Sequence, residues 1–323
     1  MKNTFDKNKR VPPGKVGLAL GSGSARGWAH IGVIKALAES GVHVDYVAGA
    51  SIGALVGAVY ASGKINSLEE VVLQLDWKKI VYFFDVVFPK SGLIDGNKIA
   101  DFIRGHVGER NIEDLPLPFC AVSTDLATGK ELFIKEGDII EAVRASISVP
   151  GIFTPFKKDD MTLVDGGLVN PVPVSAAREM GADFVIAVDL NHDIIGKKTI
   201  APSHKNMNSD KEPVKTLPEK NKILNALNKR IRTIDIPTLT QIRQWMRMED
   251  PLPNIFEVLV TSINIMETQI TASRLKSEPP DLLIQPKLGH LKFLEFNRAK
   301  EAILEGYNET KLSIDEYNHQ PPA

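Results

Sequence analysis

Gly49-Ala50-Ser51-Ile52-Gly53 fits the G-x-S-x-G pattern of a nucleophile elbow, and the chemistry it suggests is acyl transfer through a serine hydroxyl. A sharp strand-to-helix turn would hold Ser51 in a strained backbone geometry, so its neighbours must be small. The same turn would set the hydroxyl at a helix N-terminus, where free N–H groups and the dipole favour negative charge. A strand-like run, VDYVAGA (44–50), precedes the serine, and a small-residue helical pattern (52–61) follows it.

A second candidate element is Gly21-Ser22-Gly23-Ser24-Ala25-Arg26-Gly27, between a strand-like run and a helical pattern. Its exposed backbone N–H groups could receive the oxyanion of an acyl-transfer intermediate. A dinucleotide-binding loop is the rival reading, but Arg26 stands where G-x-G-x-x-G needs its last glycine. A plain glycine turn is the other alternative. The third element is Asp165-Gly166-Gly167, after the apolar run MTLV. An aspartate there can point back into the carboxyl edge of a sheet, although a hairpin turn would use the same residues.

A histidine base is a further possibility. In the order serine, acid, histidine the candidates are His192, His204, His290 and His319, of which His192 alone ends a core strand. His30 falls on a helix beside the glycine loop and is expected to pack. Cys120 lies in an apolar run without charged helpers and reads as a buried thiol. No H-E-x-x-H, cysteine pair or acidic cluster at ligand spacing occurs, so neither a metal nor a cofactor is expected.

These groups need elements to hold them. Strand-like runs at 15–21, 44–50, 118–124, around MTLVDGG and at 184–190 alternate with helical patterns at 26–40, 52–61 and 138–147. That alternation predicts a parallel α/β sheet. Leu252, Ile255, Phe256, Leu259, Ile263, Met266 and Ile270 predict an amphipathic helix; 281–286 reads as a last strand and 297–313 as a closing helix. Residues 47–63 carry no charge and repeat glycine every fourth position. A membrane span is thus an alternative there, against a strand, turn and helix.

With 323 residues, 43% apolar and a net charge of -1, the chain has the composition of a soluble globular protein with no global attraction to nucleic acid. The polar, basic start lacks the apolar core of a secretory signal, and one cysteine cannot form an internal disulfide; a cytoplasmic location is expected. Lysine- and proline-rich composition over 196–222 predicts a flexible loop. Between Lys222 and Arg247 six basic residues meet one acid, a local charge of +5 interleaved with Ile231, Leu239, Ile242 and Trp245. Such a stretch, 222–248, could rest on an anionic membrane, cover a site, or pack as an ordinary helix.

LALGSGSARGWAHIGVIKAL, GASIGAL, ASISVPGIFTPF (145–156) and DGGLVNPVPV, in that order, resemble the bacterial patatin-like phospholipases over about residues 15–192 and again near 281–307. The resemblance implies a three-layer α/β/α fold with a mainly parallel sheet, here plus a mostly helical insertion. It implies residues 15–192 and 251–318 as the catalytic domain, with a flexible tail at 1–14 and the insertion at 193–250. It also implies a Ser-Asp dyad with Ser51 as nucleophile and Asp165 as base, and a lipid or fatty acyl ester substrate. Gly21, Gly23, Ser24, Arg26 and Gly27 correspond to the oxyanion loop, and Gly49, Gly53, Gly166 and Gly167 support the two turns. The family often has three consecutive glycines before the arginine-glycine pair, where Ser22-Gly23-Ser24 stand here; that departure puts in question how closely an acyl oxygen can approach. An acyltransferase using the same acyl-enzyme, or a non-catalytic lipid-binding regulator, would fit the same resemblance. Head group, acyl length and oligomeric state are left open.

Overall fold

Unbroken apolar runs such as VGLAL and FVIAV lack the alternation of a half-wet strand, so they belong in a sheet covered on both faces. A computed structural model of the chain describes residues 12, 14–83, 94–194 and 255–319 and places them there. Among the described residues one sheet has eight strands: β1 (Val16–Leu20), β2 (Tyr46–Ala50), β3 (Phe119–Asp125), β4 (Glu131–Ile134), β5 (Phe156–Lys158), β6 (Met161–Asp165), β7 (Phe184–Val188) and β8 (Leu282–Ile284). The order is β5-β6-β3-β2-β1-β7-β8, with β4 paired to β3 off this path. β3, β2, β1, β7 and β8 run parallel to one another; β4, β5 and β6 add an antiparallel flank.

The helices are α1 (Ala29–Glu39), α2 (Ile52–Ala61), α3 (Ile65–Val72), α4 (Trp77–Phe83), α5 (Asn97–Val107), α6 (Ile139–Ser146), α7 (Val174–Glu179), α8 (Ile255–Ser277) and α9 (Ala299–His319). Successive strand residues point to opposite faces, and their sizes sort accordingly. Leu18, Leu20, Val47 and Phe119 face the larger core with α1, α2, α5, α6 and α9. Ala19, Ala48, Ala50, Cys120 and Ala187 face the thinner layer around α7. This is the expected three-layer α/β/α arrangement. Burial pushes the Cys120 thiol up to about 12, so it packs as a small apolar group rather than ionising.

The segment that could be mistaken for a span is divided between β2 and the ten-residue α2. Among the described residues no helix is long and apolar enough to cross a membrane. The mainly parallel sheet is as expected, but two details differ. The antiparallel flank was not anticipated, because β4 and β5 are three or four residues long and carry no clear period. The predicted apolar stripe of α8 also differs: Ile255 and Met266 are exposed, whereas Val260, Ile263, Asn264, Glu267 and Thr271 are buried. The buried side of that helix is partly polar because it covers a polar site. Residues 1–11, 13 and 195–254, which include most of the expected tail and insertion and all of 222–248, lie outside the described residues. The sheet and the site belong to one compact unit, residues 1–197 with 260–323.

Candidate active site

Strand register brings Ser51 and Asp165 together. Ala50 of β2 pairs with Val122 of β3, and Asp165 of β6 pairs with the next residue, Ser123. β4 pairs with Ala121 through Thr124 and so occupies the opposite edge of β3. β2 and β6 therefore lie one after the other along one edge of β3 and meet at their carboxyl ends. The Ser51 hydroxyl donates to Asp165 Oδ2 at 2.6 Å.

Ser51 has φ 56° and ψ -124°, a left-handed geometry rare for a side-chain-bearing residue, which costs on the order of 1–3 kcal/mol. It occupies the N-cap of α2, a position where serine normally bonds the first turn, yet makes no side-chain cap. The hydroxyl is given to Asp165 instead, while the Ser51 carbonyl accepts from the Ala54 N–H at 2.9 Å and so closes the first turn of α2. The strain is held by close approach. A side chain at Gly53 would run into the Leu20 carbonyl, one at Gly49 into the Gly53 carbonyl, and one at Gly27 into Ile52. The last contact joins the elbow to the glycine-rich loop.

The ASISVP run clamps both partners. Ser146 Oγ accepts from the Ser51 N–H at 2.9 Å and donates to the Val122 carbonyl at 2.5 Å. The Ser148 carbonyl accepts from the Asp165 N–H at 3.0 Å. The run had stood out only through resemblance, because a serine that bonds a backbone 95 residues away leaves no local signal. Ser146→Ala leaves a buried N–H and a buried carbonyl unpaired, so a loss of about 1–3 kcal/mol is expected in denaturant titration. A change below about 0.3 kcal/mol would remove the clamp from this account.

Asp165 is 1% exposed. Its Oδ1 accepts from the Gly167 N–H at 2.7 Å, closing the tight turn that follows β6. Gly166 packs so closely on the Val122 carbonyl that no side chain fits there. Burial, then the nearby Glu267 carboxylate, pushes the Asp165 carboxyl up to about 8, while the bonds from Ser51 and Gly167 pull the other way. A carboxylate held this way is a far better proton acceptor than one in water.

The glycine-rich loop opens after β1 and enters a 3-10 turn, Ser24–Trp28. The N–H groups of Gly21, Ser22, Ala25 and Arg26 bond to Val188, Pro171, Phe293 and Gly23 carbonyls. Among the described residues nothing accepts from the N–H groups of Gly23 and Ser24, and both residues line the cavity that holds Ser51. The two serines that replace family glycines turn their hydroxyls away: Ser22 Oγ donates to Glu267 at 3.0 Å and Ser24 Oγ to the Phe293 carbonyl at 2.6 Å. The departure therefore leaves the N–H donors in place.

Arg26 is not a cavity residue. Its guanidinium is buried against α8 and the following loop, donating to Asn264 Oδ1 at 3.3 Å and the Leu291 carbonyl at 3.5 Å, and burial lowers it to about 10. Glu267, which sequence reasoning missed, does line the cavity. It sits on a helix far downstream, and only its burial marks it out.

Beyond the polar end the cavity is apolar, walled by Trp28, Leu55, Ile99, Phe102, Ile152 and Phe293, with a volume of about 120 Å³. Among the described residues that line it there is no histidine. His30 is fully buried against the Gly21 carbonyl at 2.8 Å, and burial lowers it to about 4, so it is neutral. His290 pairs with Glu301 and His319 bonds the Asp315 carbonyl, both on the surface. His192 lies beyond β7, outside the lining, and His204 outside the described residues. Among the described residues no group of three or more His, Cys, Asp and Glu could hold a metal ion.

A model of the patatin-like phospholipase family matches residues 18–178. The chain is 32% identical over 330 residues to an uncharacterized NTE family protein of Mycobacterium tuberculosis, covering 90% of this chain and 89% of that protein. Over 194 residues it is 38% identical to patatin-like phospholipase domain-containing protein 6 of Homo sapiens, covering 58% of this chain but 14% of that one. The crystal structure of VipD from Legionella pneumophila aligns with 94% of this chain and 67% of its own, at TM-score 0.42 and 12% identity. With the near full-length relative and the matched family model together, the chain belongs to the patatin-like phospholipase family, which places it among lipid hydrolases.

Proposed function

We propose that this protein is a serine lipid acyl hydrolase, of phospholipase A or lysophospholipase type, working through a Ser51–Asp165 dyad. The observation that supports this reading most is the 2.6 Å bond from the Ser51 hydroxyl to a buried aspartate at the polar end of an apolar cavity. In the proposed reaction the Ser51 proton passes to Asp165 Oδ2 as Oγ attacks the acyl carbonyl carbon. The carbonyl electrons move to oxygen, and the free N–H groups of Gly23 and Ser24 receive that oxyanion. Collapse expels the alcohol oxygen, which takes the proton from Asp165 and leaves the acyl chain on Ser51. Water then attacks the acyl-enzyme, gives a proton to Asp165, and the fatty acid departs as Oγ regains it.

The walls of the cavity favour an acyl chain, since each methylene moved from water to an apolar site contributes about 0.8 kcal/mol. On p-nitrophenyl esters of rising chain length, KM is expected to fall about fourfold per added carbon until the cavity fills. Flat KM across the series would sink the acyl-chain assignment. Running the panel with lysophospholipid, with and without an acceptor alcohol, separates hydrolysis from acyl transfer by product. Peripheral membrane contact through 222–248 is part of the same proposal and rests on the local charge of +5. Liposome sedimentation of the full chain and of a chain lacking 222–248 tests it, and equal binding would reject it.

A further inference from the structure

Glu267 is 7% exposed and reaches the site from α8, more than 200 positions after the elbow. Its Oε2 accepts from Ser22 Oγ at 3.0 Å and from Asn191 Nδ2 at 3.0 Å. Ser22 immediately precedes Gly23, whose N–H is one of the two free donors. On its other side the carboxylate meets the turn after Asp165. The position a Cβ would take on Gly167 lies 2.9 Å from Asp165 Oδ1 and nearer still to Glu267 Oε1. The two carboxylates are thus within about 6 Å of each other, where one charge disfavours the other.

The surroundings are unusually well defined. Facing Glu267 are Ser22 and Arg26 from the glycine-rich loop, Asp189 and Asn191 after β7, and Asp165 after β6. Asp193 adds its charge near Arg26. Asn264 and Thr271 lie one turn away on α8 itself, both buried. Among the described residues around Glu267, Arg26 is the buried cation that these carboxylates share. A structural carboxylate needing only two hydrogen bonds would be better replaced by an amide, because burying the charge is costly.

We propose that Glu267 is a positioning residue of this site: it holds the oxyanion loop through Ser22 and sets a second carboxylate charge beside Asp165. The inference deepens the dyad reading and rests on it. Glu267 makes no hydrogen bond to Ser51; it acts through Ser22 and through Asp165. Burial, opposed by Ser22, Arg26 and Asn191, pushes its own carboxyl up as well. A proton on either group eases the ionisation of the other.

Two measurements on the full chain test this. The first is the pH profile of kcat/KM on p-nitrophenyl butyrate for wild type, Glu267→Gln, Glu267→Ala and Ser22→Ala. Glu267→Gln keeps acceptors and shape but removes the charge, so its acid limb is expected to move down by about one pH unit. Glu267→Ala and Ser22→Ala are expected to lower kcat more than tenfold across the whole pH range, as the loop loses its tether. An unmoved acid limb in Glu267→Gln, or full kcat in both alanine variants, overturns the proposal. The second measurement needs no activity: thermal stability of wild type, Asp165→Asn, Glu267→Gln and the double variant at pH 5 and pH 8.5. Charge coupling predicts that each substitution stabilises less when the other is present at pH 8.5, and that this difference vanishes at pH 5. Additive effects at both pH values overturn it. An inactive wild type with intact coupling would instead count against the dyad reading.

Discussion

Ser51→Ala is expected to lower kcat/KM on short acyl esters by about 10⁴-fold or more and to abolish labelling by a fluorophosphonate. The size of the effect follows from the geometry, because this hydroxyl lines the cavity and donates to the buried Asp165 carboxylate. The same substitution should leave the fold intact. Alanine leaves the buried Asp165 Oδ2 without its hydroxyl donor and keeps the backbone strain at φ 56°, so a loss of about 1–3 kcal/mol is expected. Glycine relieves that strain, and Ser51→Gly should melt above Ser51→Ala. Residual labelling of either folded variant would show that another nucleophile carries the reaction.

The second large effect concerns Asp165. Asp165→Asn is expected to reduce kcat by about 10³- to 10⁴-fold, since an amide can orient the serine but cannot take its proton. The stability change has the opposite sign. The folded-state carboxyl is raised above its usual value, so the native state holds this proton more tightly than the unfolded chain does. Wild type therefore loses stability as pH rises from about 4, the unfolded value, and the loss levels off above about 8. The amide does not titrate. Its melting temperature should match or exceed that of wild type at pH 7, and the gap should widen towards pH 8. For a unit of this size about 1 kcal/mol corresponds to roughly 2–4 °C, which differential scanning fluorimetry resolves. An Asp165→Asn protein that melts below wild type at pH 8 would contradict the burial argument. Wild-type activity should likewise climb through neutral pH, because the base works only when ionised.

The elements that place these residues were largely legible from sequence. The buried parallel strands announce themselves as apolar runs, and the helix from 52 to 61 coincides with its small-residue pattern. Gly49, Gly53 and Gly27 could be seen as turn residues; that they press on one another through Ile52 and Leu20 could not. What escaped notice has a common cause. Ser146, Ser148 and Glu267 act over separations that no period or motif spans, and each is an ordinary polar residue until the sheet brings its partner near. Arg26 illustrates the reverse case. A motif marked it, but its side chain serves the scaffold beneath the loop while the neighbouring backbone faces the cavity.

The succession of β2 and β6 along one edge of β3 has a consequence for control. Ser51 and Asp165 are spaced by a rung of a hydrogen-bonded ladder, so no hinge lies between them. Such a pair is assembled whenever the sheet is folded, and it cannot be switched by a modest loop movement without melting part of the core. Substrate arrival and the poise of the glycine-rich loop are left as the steps at which a cell could govern this chemistry. A signal that throttles the proposed chemistry would then have to change who reaches the serine or whether Asp165 carries its proton, since the pairing itself is built into the sheet.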